Sequence, residues 1–325
     1  MTTLLPPREQ LKICFAHAAY QLGPRFAARR TNIAFTEARD AASFAAQAPS
    51  ADVIVVSGLW KNDILDITPK LRFVQSISAG INQYDQARFR AKGVRLASAQ
   101  GVNEVAVAEH AMALMLALKR HIHTGRDNQA KGFWRPMIAD IGAREDELRG
   151  KTLLIVGYGG IGRRLARLAH AFEMRVIGLK RTPRGDTGAA DEVRPITDLD
   201  RLLPEADVVA LTCPLTPETT GLVNAGRLAR MKPSAILINV ARGAVVDEPA
   251  LVEALHSRLI AAAGIDVTVE EPLPPSSPLW HLPNALITPH TAGETQAYED
   301  NVLDILLHNL DQLWHGREPL RNGIV

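Results

Sequence analysis

The sequence predicts an α/β protein of two parallel-sheet domains, with helices on both sheet faces and a cleft between the domains. Three observations carry this prediction. Short apolar, β-branched runs alternate with stretches of helical composition over residues 11–100 and again over 150–290, as repeated β–α–β units require. A chain of 325 residues has room for two domains. One apolar run also leads directly into a Gly-x-Gly-x-x-Gly turn.

In the first block, strands are expected at 11–16, 32–35, 52–57, 73–78 and 94–97, and helices at 37–48 and 84–92. A long helix at 103–121 follows, with Asn103 suited to the N-cap and Glu104 favouring the dipole in the first turn. Its apolar residues form two stripes, one through Val105, Ala108, Met112, Met115 and Leu116, the other through Val107, Ala111, Leu114 and Leu118. A helix apolar nearly all round is buried on several sides, which points to burial between domains and to a homodimer with this region at its interface. His110 within it reads as structural rather than catalytic.

In the second block, strands are expected at 152–156, 175–179, 208–212, 235–240, 261–267 and 285–288, with helices around 160–172, 198–203, 225–231 and 248–256. A last amphipathic helix, 294–315, carries Tyr298, Val302, Ile305, Leu306, Leu310 and Leu313 on one face and stops at Gly316.

Composition narrows the function. Apolar residues make up 46% of the chain and charged residues 22%, and the net charge is only +2. No basic block is present, so nucleic acid is not an expected partner. The amino-terminal segment lacks the charged-then-apolar order of a signal peptide, and the longest apolar stretches are far too short to span a bilayer. Cys14 and Cys213 sit in apolar runs, where buried thiols are expected rather than a disulfide. These features predict a cytoplasmic protein with neither a metal site nor a membrane partner.

Residues 152–162, Thr-Leu-Leu-Ile-Val-Gly157-Tyr158-Gly159-Gly160-Ile161-Gly162, give strand, turn and helix in the order of a Rossmann-like dinucleotide fingerprint. Gly157 permits the tight turn, Gly159 lets backbone approach a pyrophosphate, and Gly162 lets the helix pack close to the strand. The helix N-terminus offers unpaired N–H groups and positive dipole to the phosphates.

In open parallel sheets ligands bind beyond the carboxyl ends of the strands. Arg242 follows the strand at 235–240, Glu270 and Glu271 follow that at 261–267, and His290 follows that at 285–288. One cation, one carboxylate and one imidazole thus stand at three strand ends of the same domain.

These stretches resemble the D-isomer-specific 2-hydroxyacid dehydrogenase family. The resemblance rests on Val156-Gly-Tyr-Gly-Gly-Ile-Gly162, Cys213-Pro-Leu-Thr-Pro-Glu-Thr-Thr-Gly221, Asn239-Val-Ala-Arg-Gly-Ala-Val-Val-Asp-Glu248, Asp266-Val-Thr-Val-Glu-Glu-Pro272, and Pro278-Leu-Trp-His-Leu-Pro-Asn284 running into Thr288-Pro-His-Thr-Ala-Gly293. Ser78-Ala-Gly-Ile-Asn82 and Gly101-Val-Asn-Glu-Val-Ala-Val-Ala-Glu-His110 add to it in the first half.

The resemblance implies a substrate domain of residues 1–100 with about 294–325, and a dinucleotide-binding domain of 101–293. It further implies that Arg242 clamps a 2-oxo acid, that His290 passes the proton, and that Glu271 orients His290 and stabilises its charged form. Ser78, Ala79 and Gly80 would hold the substrate carboxylate through backbone N–H groups. Cofactor contacts would come from Gly157, Tyr158, Gly159, Gly160, Ile161 and Gly162, from Cys213, Pro214 and Thr219, from Val240 and Ala241, and from Asp266, His290 and Gly293. Asp266 would orient the nicotinamide carboxamide. Trp134 and Trp280 either line the substrate pocket or pack as buried aromatics.

One departure concerns the cofactor. An acid about 20 residues beyond the glycines binds the ribose 2′-hydroxyl of NAD. Here Lys180 stands in its place, followed by Arg181, Thr182 and Arg184. A carboxylate would repel a 2′-phosphate and these residues would hold it, so NADP is preferred, with NAD possible. The expected activity is reduction of a small 2-oxo acid such as glyoxylate or hydroxypyruvate. The alternatives are a nucleotide-sensing, corepressor-like binding protein and phosphite oxidation on the same fold.

Overall fold

The computed structural model describes residues 5–183 and 185–325, so Arg184 lies outside the described residues. Internal contacts divide the chain into two compact units, Met1–Asn103 with Thr295–Val325, and Glu104–Glu294.

The first unit alternates β1 (Lys12–Ala16), α1 (Leu22–Ala28), β2 (Ala34–Ala38), α2 (Ala41–Gln47), β3 (Val53–Val56), α3 (Ile64–Ile67), β4 (Phe73–Ser76), α4 (Gln86–Lys92) and β5 (Arg95–Ala97). Its five strands pair in parallel in the order β2-β1-β3-β4-β5, the flavodoxin-like order. β3 is Val-Ile-Val-Val, buried throughout, as a strand covered on both faces should be.

The expected helix at 37–48 starts late. Glu37 and Ala38 finish β2, and Asp40 then caps α2 by accepting from Ser43 N at 2.7 Å. The expected strand at 32–35 is displaced accordingly.

The second unit begins with α5 (Glu104–Lys119) and α6 (Ile122–Ala130) and continues through β6 (Thr152–Val156), α7 (Gly160–Ala171), β7 (Arg175–Lys180), β8 (Glu192–Pro195), α8 (Leu199–Leu202), β9 (Val208–Leu211), α9 (Ala225–Leu228), β10 (Ile236–Asn239), α10 (Glu248–His256), β11 (Ala262–Ile265) and β12 (Ala285–Ile287). Its seven strands are parallel in the order β12-β11-β10-β9-β6-β7-β8. This is a doubly wound sheet whose strand order reverses between β6 and β9, the crevice where such sheets bind ligands.

The chain then returns to the first unit. α11 (Tyr298–Trp314) buries Val302, Leu303, Ile305, Leu306, Leu310 and Leu313 in the same apolar cluster as Ile13, Phe15, Val53 and Phe73.

α5 is buried on several sides as expected, but not at Val105, which its place in the first turn leaves 47% exposed. Val107, Ala108, Ala111, Met112, Leu114, Met115 and Leu118 pack with Leu153, Ile155, Leu165, Ile236 and Ile238 of its own unit. Gly264 of β11 makes room for it, since a Cβ there would lie 3.0 Å from Leu114 Cβ. Each buried Leu or Met side chain contributes roughly 1.5–3 kcal/mol, so this docking needs no second chain. Among the described residues no helix is long and apolar enough to cross a membrane. Cys14 and Cys213 are buried free thiols.

Candidate active site

Three adjacent strands, β12, β11 and β10, end beside one another. β10 reads Ile-Leu-Ile-Asn, and its last residue, Asn239, is buried. Its Nδ2 donates to Arg242 O and its Oδ1 accepts from Ala241 N, both at 3.1 Å. A buried amide needs such partners, and here they tie down the loop that leaves the strand.

Arg242 is exposed in extended backbone, with Nη1 donating to Ala241 O at 2.6 Å. Val240 and Ala241 beneath it are buried. A Cβ added to Gly243 would stand 2.0 Å from the Thr268 carbonyl carbon and 2.4 Å from Val269 N. The loop after β10 therefore lies directly against the loop after β11.

In that second loop Glu271 is held at both oxygens. Oε1 accepts from Thr268 N at 3.1 Å, and Oε2 lies 2.6 Å from His290 Nδ1. Glu270 instead offers its carbonyl oxygen to the Thr268 hydroxyl at 2.7 Å. Of the two adjacent glutamates, Glu271 is the one whose carboxylate meets the imidazole.

His290 sits in the left-handed region at φ 55°, a conformation that persists in a non-glycine residue only when the surroundings over-determine it. They do so here, because its N–H donates to Asp266 O at 2.8 Å and to Thr288 O at 3.0 Å. With Nδ1 against Glu271, the ring turns Nε2 away from that carboxylate. Glu271 and His290 border a cavity of about 570 Å³, with Asp266, Thr268 and Thr288 among its polar lining and Leu273, Trp280 and Ile287 among its apolar lining.

Asp266 is buried at 2% exposure. Its Oδ1 accepts from the Thr288 hydroxyl at 2.6 Å and from Thr291 N at 3.0 Å, and its Oδ2 accepts from Ala292 N at 3.0 Å. Much of its capacity thus goes to the turn that carries His290 and leads to Gly293.

At the Gly-rich turn each fingerprint glycine has its own geometry. Gly157 has φ 102°, and a Cβ there would lie 2.4 Å from Cys213 N. At Gly162 a Cβ would meet Gly157 O at 2.8 Å and Ile155 Cγ2 at 3.1 Å, so helix and strand approach closely. At Gly159 it would meet nothing within 4 Å, which leaves the turn open on the face a pyrophosphate would need. Among the described residues no side chain caps α7. These features fit a dinucleotide.

Gly160, which the fingerprint leaves free, is explained by Glu104, whose carboxylate lies where a Cβ would go. Tyr158 differs from a ligand-facing residue. It is buried, its ring covers Gly178, and its hydroxyl donates to Thr187 O at 2.6 Å, so only its backbone belongs to the turn. Ile161 is half-buried beside it.

Lys180 ends β7 half-buried, and Arg181 and Thr182 beyond it are exposed. The Thr216 hydroxyl, with a smaller contribution from Arg181, holds the Glu218 carboxyl below its usual range, so the basic segment faces the loop after β9. In that loop Cys213 is buried and its thiol is pushed up to about 11. Pro214 is exposed, and the Thr219 hydroxyl donates to Pro214 O at 2.7 Å.

Ser78, Ala79 and Gly80 belong to the first unit, beyond β4. Ser78 Oγ lies 2.6 Å from Ser57 Oγ, and Ser78 N donates to Ser76 Oγ at 3.2 Å. One of the three expected backbone donors is therefore already engaged. Trp134 and Trp280 are 95% and 51% exposed, so neither is a buried aromatic.

Sequence reasoning gave Asn239 and Thr288 no site role, read Glu104 only as a first-turn acid, and set His110 aside. A polar residue ending an all-apolar strand was the signal for Asn239. His110 Nε2 lies 2.9 Å from Thr288 Oγ1, a contact between α5 and a strand end far along the chain.

A family model described as D-isomer specific 2-hydroxyacid dehydrogenase, NAD binding domain, matches residues 112–292. The chain is 38% identical over 266 residues to glyoxylate/hydroxypyruvate reductase B of Pectobacterium atrosepticum, covering 82% of each chain. It is 34% identical over 282 residues to D-3-phosphoglycerate dehydrogenase of Archaeoglobus fulgidus, covering 86% of this chain and about half, 52%, of that one. The crystal structure of the TT0316 protein from Thermus thermophilus superposes with a TM-score of 0.79 at 34% identity, over 97% of this chain and 100% of that one.

Proposed function

The chain belongs to the D-isomer specific 2-hydroxyacid dehydrogenase family, and from that premise we propose that it reduces a small 2-oxo acid to the 2-hydroxy acid, with glyoxylate and hydroxypyruvate as the first candidates. The observation that carries this reading is the His290–Glu271 pair at 2.6 Å, whose glutamate sits on the loop that abuts the one bearing Arg242. A nicotinamide dinucleotide held at the Gly157–Gly162 turn would supply the hydride.

His290 gives a proton from Nε2 to the carbonyl oxygen as negative charge develops there, and recovers it from solvent. Glu271, 2.6 Å from Nδ1, holds the imidazole in one orientation. Arg242 presents a planar fork of donors suited to a carboxylate and its neighbouring carbonyl. The relatives' names favour neither a nucleotide-sensing corepressor nor a phosphite dehydrogenase.

The test is oxidation of NADPH and NADH with a panel of 2-oxo acids. His290→Asn should lower kcat by about 10²–10⁴-fold while cofactor affinity, read by nucleotide fluorescence, is retained. An unchanged rate in that variant would remove the mechanism.

The cofactor preference is for NADPH, supported by Lys180, Arg181 and Thr182 where a ribose-binding acid would stand. A lost charge-assisted hydrogen bond costs about 1.5–3 kcal/mol, so Arg181→Ala should weaken NADPH by roughly ten- to a hundredfold and NADH little. Equal losses for both cofactors would refute the preference.

The protomer is further proposed to be half of a homodimer. Five of the large apolar side chains left exposed, Ile122, Phe133, Trp134, Met137 and Ile141, lie close together in the chain after α5. The buried face of α5 itself is not the surface offered.

A further inference from the structure

Asp266 is the post on which the His290 turn is wound. Its side-chain oxygens take Thr288 Oγ1, Thr291 N and Ala292 N, and its backbone oxygen takes His290 N. From the middle of α5, His110 reaches the same post. Its Nε2 lies 2.9 Å from Thr288 Oγ1 and 3.5 Å from Asp266 Oδ1.

The protons can be counted. The Thr288 hydroxyl has one hydrogen and gives it to Asp266 at 2.6 Å, so toward His110 its oxygen is an acceptor. His110 Nε2 therefore carries a proton and donates it. The resulting order is His110 to Thr288 to Asp266, with Asp266 in turn fixing His290. A side chain there only to fill space would not need an N–H aimed at that hydroxyl.

We propose that His110 is a positioning residue for the reaction: donating through Thr288, it fixes the rotamer of Asp266 and so the placement of the His290 imidazole. The inference rests on the reductase reading for its kinetic consequence, whereas the placement itself is independent of that reading. A misplacement of about 1 Å in a reacting group costs on the order of 10²-fold in rate.

Four variants test it: His110→Ala, His110→Gln, Thr288→Val, and the double variant His110→Ala/Thr288→Val. In His110→Ala, kcat should fall about 10- to 100-fold with the KM for the 2-oxo acid little changed. Gln, which carries an N–H at similar reach, should restore most of it. The double variant should be no worse than the poorer single one, because both break the same chain of donors.

A second readout needs no turnover. The His290 ring C–H resonances, assigned by their loss in His290→Asn, should move in His110→Ala and return in His110→Gln. Unmoved resonances would overturn the proposal, as would a kcat within twofold of wild type, losses that multiply in the double variant, or failure of Gln to rescue either readout. A wild-type protein that turned over no 2-oxo acid would instead sink the reductase reading, leaving the resonances to decide the role of His110.

Discussion

His17, just beyond β1, spends its Nδ1 lone pair on two backbone donors, Ala19 N at 3.1 Å and Tyr20 N at 2.9 Å, while its ring stacks on Tyr20 at 4.3 Å. Burial first, then the nearby Arg39 charge, push its pKa below the ordinary 6.5, against a weaker pull upward from Glu299. The unfolded chain therefore binds a proton at His17 more readily than the native one. Its contribution to stability is complete above pH 6.5 and is lost as pH falls through that value toward the lowered native one. Melting temperatures measured from about pH 8 to about pH 5 should fall less steeply on the acid side for His17→Asn, which keeps an acceptor but cannot titrate. Parallel curves would show that His17 does not sense pH.

At this same scale the sequence was partly legible. Arg242, the Glu270–Glu271 pair and His290 stand out because each lies soon after a strand, where ligands gather in parallel sheets, and the family resemblance then points to Glu271 of the pair. His110 does not, because its partner, Thr288, is 178 residues away and no local pattern announces the contact.

At the scale of elements, the close approach of the loops after β10 and β11 sets Arg242 beside the Glu271 segment. Gly243→Ala would drive a methyl into the Thr268 peptide, where the nearest backbone atom stands at 2.0 Å. We expect a stability loss of about 1–3 kcal/mol and a fall in kcat. Gly159→Ala is the contrast, since its added methyl meets no protein atom within 4 Å. It should keep the melting temperature and weaken the dinucleotide. If both variants melt as wild type does, the tight contact at Gly243 is wrong.

Strands buried on both faces announced themselves, as β3 and β6 did through unbroken apolar runs. β8 did not, for it is an edge strand, Glu-Val-Arg-Pro, with no fully buried residue. α6 was equally silent: it buries nothing and carries Gly125 in its middle, so neither periodicity nor propensity marks it.

At the scale of the whole molecule, the apolar side chains exposed after α5 are the test of association. Met137 is 97% exposed, and clustered apolar exposure of this kind marks an interaction surface. The double variant Trp134→Glu/Met137→Glu should run as a monomer in light scattering coupled to gel filtration, with the wild type at twice that mass. A monomeric wild type would end the dimer proposal. Two domains could be inferred from length and from the repeated β–α alternation. The return of the last helix to the first sheet carries no local signal and was expected only from the family resemblance.

That return has a consequence for how the protein is made. A ribosome extrudes the amino end first, at about 5–20 residues per second, so β1 to β5 emerge long before α11. Leu306 and Leu310, which complete the apolar cluster around Phe15 and Phe73, arrive only after all of residues 104–294. The earliest sheet must wait on the order of tens of seconds with one flank greasy and uncovered, whereas the uninterrupted unit can mature as soon as it clears the tunnel. The unit that holds β1 to β5 therefore completes its core after the unit that holds β6 to β12, although its strands are translated before them.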